Sequence, residues 1–124
     1  MASILLIDDV PAVLISMRIV LQGGGHQVTT ISGGNQGLAL LRDRQFDLVI
    51  TDIWMPGSSG TAVISEGRRL RPGTRFIAIT GGDPNGPAKS APHPDGDFGA
   101  DRLLLKPFEK SELLAAVAEL LEGS

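Results

Sequence analysis

The chain has no cysteine, so neither disulfides nor thiolate metal sites are open to it. It has no tyrosine and a single tryptophan, which leaves little material for an aromatic recognition surface. An excess of positive charge is also missing. Eleven Lys and Arg stand against fourteen Asp and Glu, for a net charge of −3 and a pI near 5.2. That balance does not favour nucleic acid or an anionic membrane as primary partner. The apolar runs are too short to span a bilayer, so no membrane insertion is expected. The start, Met1-Ala2-Ser3, carries no positive n-region of a secretory signal, and a cytoplasmic location is expected.

What remains is an ordinary globular balance, 42% hydrophobic and 20% charged over 124 residues, which suits one domain with one core. "SILLI", 3–7, reads as a buried strand ending at Asp8-Asp9. Pro11 suits a first helical turn, Val13, Leu14, Met17, Val20 and Leu21 recur at helical spacing, and Gly23-Gly24-Gly25 stops the run. "HQVTTI", 26–31, is a second strand, and a helix follows between Gly34 and Arg44. "FDLVITD", 46–52, is a third strand. Ser58-Ser59 can cap a helix to about Leu70. "TRFIAIT", 74–80, and "RLLL", 102–105, are the fourth and fifth strands, and a last helix runs over about 109–122. Apolar strands alternating with helices predict a parallel sheet covered on both faces.

In such sheets ligands bind beyond the carboxyl ends of the strands. Here those ends carry Asp8-Asp9, Asp52, Thr80 and Lys106. Three clustered carboxylates repel one another and lose charge unless a cation joins them. A hard divalent ion such as Mg²⁺ meets that need. Lys106 and Thr80 then call for an anion, and a phosphoryl group fits every part. One carboxylate could act as nucleophile and become an aspartyl phosphate. Each piece alone has a bland reading. Asp8-Asp9 could cap a helix, Asp52 before "MPG" could form a turn, Lys106-Pro107 could be only a turn, and Thr80 only a strand residue. Their conjunction at successive strand ends is far more specific.

With these residues the sequence resembles the receiver (CheY-like) domain of two-component response regulators. The resemblance rests on "LLIDDVPAVL", "DLVITDIWMPGSSG", "IAIT" and "LLLKPF", and it covers essentially the whole chain. It implies a flavodoxin-like, doubly wound, five-stranded parallel sheet of strand order 2-1-3-4-5, and a single receiver domain over 1–124 with no output domain. It implies that Asp52 is the phosphorylation site, accepting phosphate from a sensor histidine kinase or a phosphotransfer protein. Asp8, Asp9, Asp52 and the backbone carbonyl of Trp54 would hold Mg²⁺, Asp9 most directly. Lys106 would contact the phosphoryl oxygens and Thr80 would swing toward them. The Lys106–Pro107 peptide is expected to be cis. Such a domain is a phosphoacceptor that catalyses only its own phosphotransfer and dephosphorylation, and it signals to a downstream protein target.

The sequence departs from the family at three places. The stretch 81–99 should hold a helix but contains five Gly and four Pro. An interior Pro costs a helix about 3 kcal/mol and a Gly about 1, so this helix four is expected to be degraded or irregular. Gly81 stands where the family usually has Ala, and Leu103 where it commonly has an aromatic ring. Signal exit is therefore expected through the 81–99 loop, hinged at Gly81-Gly82, with Leu103 tolerant of change. The alternative is a receiver-like interaction module that no longer depends on phosphorylation. An aspartyl-nucleophile phosphatase would want a second acid where Trp54 stands. A flavin binder of this fold would want a phosphate loop where "DDVP" repels one.

Overall fold

The computed structural model describes residues 2–55, 58–81 and 99–122. Strand β1 (Ser3–Ile7) leads into α1 (Pro11–Gly23), β2 (Gln27–Ile31), α2 (Gly34–Asp43) and β3 (Leu48–Asp52). Two-residue strands β4 (Trp54–Met55) and β5 (Ser58–Ser59) precede α3 (Gly60–Leu70). Strand β6 (Arg75–Thr80), β7 (Arg102–Leu105) and α4 (Lys110–Glu122) complete the described chain. The main sheet is five-stranded and parallel, in the order β2-β1-β3-β6-β7. This is the expected order 2-1-3-4-5 once the small antiparallel β4–β5 ribbon is counted apart.

Strand side chains alternate between faces, and this sheet buries both. Ile4, Leu6, Leu48, Ile50, Ile77 and Ile79 face α1 and α4, where Met17, Leu21, Leu113 and Val117 meet them. Leu5, Ile7, Val49, Phe76 and Ala78 face the other way, against Leu41, Val63 and Ile64 of α2 and α3. Two-sided burial explains why the strands read as continuous apolar runs.

Local signals set the element ends. Pro11 opens α1, whose N-cap residue Val10 has an apolar side chain that supplies no capping bond. Ser59 caps α3, its Oγ accepting from the Thr61 N–H at 3.1 Å. Three strands start later than expected, β2 and β6 by one residue and β3 by two. Phe46 and Asp47 precede β3 rather than belonging to it, and the β4–β5 ribbon was not foreseen. Phe46 is buried all the same, and the Asp47 carboxylate accepts from the Ser3 N–H, so both are fixed by contacts outside the ladder. The expectation of an irregular helix four lies, apart from Gly81 and Gly99, outside the described residues.

Candidate phosphoryl-transfer site

Parallel strands in register deliver their C-terminal residues to one edge. Ile7 pairs with Thr51, Asp52 with Ile79, and Thr80 with Leu105. The residues that follow or end these strands are Asp8, Asp9, Asp52, Thr80 and Lys106. One carboxylate oxygen from each of Asp8, Asp9 and Asp52 lies within 4.8 Å of the other two. The Lys106 ammonium is 3.5 Å from Asp8 Oδ2 and 3.6 Å from Asp52 Oδ2. Lys106 is fixed by its own N–H, which donates to Thr80 O at 2.9 Å, and the peptide to Pro107 is cis as expected.

Asp8 and Asp52 are buried, at 1% and 5% exposure, and Thr80 at 6%. Asp8 has two oxygens with different surroundings. Its Oδ1 accepts from the Val10 N–H at the entrance to α1, at 2.9 Å. Its Oδ2 is buried with no hydrogen-bond donor, although Lys106 stands within ion-pairing distance. Burial pushes the Asp52 carboxyl up to about 6. Lys106 opposes that shift, Asp8 adds to it, the Trp54 backbone N–H bonded to the carboxylate lowers it, and Asp9 raises it slightly. One ammonium against three carboxylates leaves a net negative site, with Asp8 and Asp52 buried and Asp9 partly exposed. The undonated Asp8 oxygen and the elevated Asp52 carboxyl are what a bound divalent cation would correct. The residues present fit such an ion.

The backbone around Asp52 is held from several sides. Ile53 N donates to Ile79 O at 2.9 Å, and Gly60 N donates to Ile53 O at 3.0 Å. A Cβ on Gly60 would fall 2.1 Å from Asp52 O, so the first turn of α3 can abut this carbonyl only with glycine there. The buried Thr51 hydroxyl donates to the same oxygen at 2.9 Å. Neither Thr51 nor Gly60 was singled out from the sequence. A threonine in a strand reads as ordinary β propensity, and the Gly60 contact exists only in three dimensions. Gly81 has an ordinary backbone, and a Cβ there would meet the Lys106 stem at 3.5 Å, an unstrained contact. Leu103 is half-buried and packs against the cluster beneath α2 and α3.

An acidic trio, a strand-end lysine and a hydroxyl strand-end residue on a doubly wound sheet define a receiver-type site. The chain belongs to the response regulator receiver domain family, whose model matches residues 4–118. It is 32% identical to the transcriptional regulatory protein GlrR of Escherichia coli (strain K12), over 99% of this chain and 27% of that protein. The chain therefore spans about a quarter of the length of this relative. The receiver domain protein (CheY-like) from Methanospirillum hungatei JF-1 superposes with a TM-score of 0.83 at 29% identity, covering 97% of this chain and 93% of that one. Response regulator TrrA of Thermotoga maritima, solved in complex with Mg²⁺-BeF, superposes with a TM-score of 0.81 at 30% identity, covering 98% and 100%. Among the described residues no helix is long and apolar enough to cross a membrane.

Proposed function

We propose that this receiver takes a phosphoryl group onto Asp52 from a phosphohistidine of a sensor histidine kinase or phosphotransfer protein, and passes the signal to a protein target. The observation that carries the reading is the placement of Lys106 within 3.6 Å of Asp52 Oδ2, beside an acidic trio of which Asp8 and Asp52 are buried. Asp52 is the member that ends the central strand, with Lys106 on one side and the acidic pair on the other.

An Asp52 carboxylate oxygen attacks phosphorus as the phosphorus–nitrogen bond breaks. The imidazole nitrogen leaves with the bonding pair and takes up a proton from solvent. Lys106 offsets charge on the phosphoryl oxygens, and Thr80 offers its hydroxyl to one of them. Hydrolysis reverses the state: water attacks phosphorus, inorganic phosphate leaves, and the Asp52 carboxylate returns. Asp8, Asp9, Asp52 and the Trp54 carbonyl are the groups we assign to Mg²⁺, which when bound supplies charge neutralisation at the phosphoryl oxygens. The Mg²⁺-BeF complex of TrrA supports this choice of ion.

Incubation with phosphoramidate and Mg²⁺, followed by intact mass, should add one phosphoryl group, and EDTA in place of Mg²⁺ should suppress it. A mass unchanged at every donor concentration would contradict the reading.

A further inference from the structure

We infer that Thr51 is a positioning residue for the phosphoacceptor: its hydroxyl, rather than its bulk, holds the Asp52 peptide in the orientation that aims the carboxylate at the incoming phosphoryl group. This rests on the assignment of Asp52 as acceptor.

The need for such a support follows from where β3 ends. The β1–β3 pairing stops at Ile7–Thr51. Beyond that pair β1 offers no further paired residue to β3: Asp8 faces β2, its N–H donating to Ile31 O at 3.2 Å. On the far side the ladder continues one step further, through Ile53 N to Ile79 O. Asp52 is thus the residue where support from β1 runs out while support from β6 persists. Its carbonyl takes the Thr51 hydroxyl at 2.9 Å, and that contact is buried. Thr51 itself is fully enclosed, at 0% exposure, so the hydroxyl is shielded from competing water.

The approach of α3 restricts the same carbonyl from outside, since Gly60 leaves no room for a methyl beside it. The peptide that links Asp52 to Ile53 is therefore gripped at its oxygen by Thr51 and at its nitrogen by Ile79. Rotation of that peptide would turn the Asp52 Cα–Cβ bond and swing the carboxylate away from Lys106. It would also displace Trp54, whose N–H bonds that carboxylate. A donor on the carbonyl resists this rotation; an apolar group of the same shape does not.

Two substitutions separate hydroxyl from bulk. Thr51→Val keeps the volume and loses the donor, whereas Thr51→Ser keeps the donor and loses a methyl. Phosphorylation by phosphoramidate with saturating Mg²⁺ is followed by intact mass over a range of donor concentrations, beside thermal denaturation and the Trp54 fluorescence response to Mg²⁺ alone. Positioning predicts that Thr51→Val lowers the maximal rate about tenfold, the order expected of a misaimed reacting group, at unchanged half-saturation. It also predicts severalfold weaker Mg²⁺ binding in Thr51→Val, and a rate near wild type in Thr51→Ser even if its melting temperature falls. If rates follow melting temperature, so that Thr51→Ser is slowed while Thr51→Val is not, Thr51 is only a packing residue and the inference is wrong. Equal rates in all three proteins overturn it as well. Failure of wild type itself to gain mass would instead strike the assignment of Asp52, and the Mg²⁺ response of Thr51→Val, weakened or not, then decides the positioning claim.

Discussion

The Lys106 ammonium stands 3.6 Å from Asp52 Oδ2 although their strands, β7 and β3, are separated in the sheet by β6. The lysine reaches past a strand to touch the acid because both lie at the same edge and because the cluster holds one cation against three anions. That charge imbalance governs the first two expectations.

Stability of the metal-free protein should depend on Asp52 in an unusual direction. Its carboxyl is raised from 3.8 to about 6 in the folded state. The folded protein thus binds this proton more tightly than the unfolded chain does. The associated stability is complete below the unfolded value near 3.8 and is lost as pH climbs to about 6. Two pKa units correspond to roughly 2–3 kcal/mol. Asp52→Asn lacks this loss, so in EDTA at pH 7 it should be more stable than wild type by on the order of 1–3 kcal/mol, and the gap should close toward pH 4. Urea denaturation of both proteins across that range measures it. A less stable Asp52→Asn at pH 7 would mean that the Lys106 pairing outweighs burial.

Mg²⁺ should bind weakly without phosphate and should quench or enhance Trp54 fluorescence, since this half-exposed ring follows Asp52 by two residues. Binding should tighten as pH rises through 6, because the ion must displace the Asp52 proton. Asp9→Ala should abolish or strongly weaken the response. The same titration curve in Asp9→Ala as in wild type would remove Asp9 from the ion's ligands.

Gly60→Ala should be severely destabilising, by about 2–4 kcal/mol, because the new methyl would meet the Asp52 carbonyl and the Ile53 Cα, both backbone. Gly73→Ala, where nothing lies within 4 Å, should cost less than about 0.5 kcal/mol. Chemical denaturation of the pair gives the contrast; equal costs would mean that α3 can shift away from β3.

Gly81→Ala should leave phosphorylation near wild type. The backbone there needs no glycine, and the methyl would rest against the Lys106 stem at ordinary contact distance. The proposed hinge at Gly81-Gly82 therefore finds no strain at its first residue, and Gly82 lies outside the described residues. A several-fold loss of phosphorylation in Gly81→Ala would show that Lys106 needs that space.

The elements and the polar strand ends were legible because their signals are local. Buried strands are apolar runs, helices carry a 3.6-residue period, and Asp8-Asp9, Asp52, Thr80 and Lys106 each follow such a run directly. What escaped depends on approach between distant segments. Nothing periodic marks a two-residue strand, so the Trp54–Met55 and Ser58–Ser59 ribbon had no signal. The Gly60 requirement comes from the closeness of α3 to Asp52 O, and the Thr51 hydroxyl acquires meaning only where the β1 ladder stops. Asp8 shows the limit from the other side: a helix-entry contact and membership of the acidic cluster are not alternatives, since Oδ1 accepts from the Val10 N–H while Oδ2 stands 3.5 Å from the Lys106 ammonium.

The most direct measurement is the intact mass of wild type and Asp52→Asn, side by side, after incubation with Mg²⁺ and phosphoramidate. Wild type should gain one phosphoryl group and Asp52→Asn none, with both proteins folded by circular dichroism. A full-stoichiometry gain on Asp52→Asn would place the acceptor elsewhere and contradict the account.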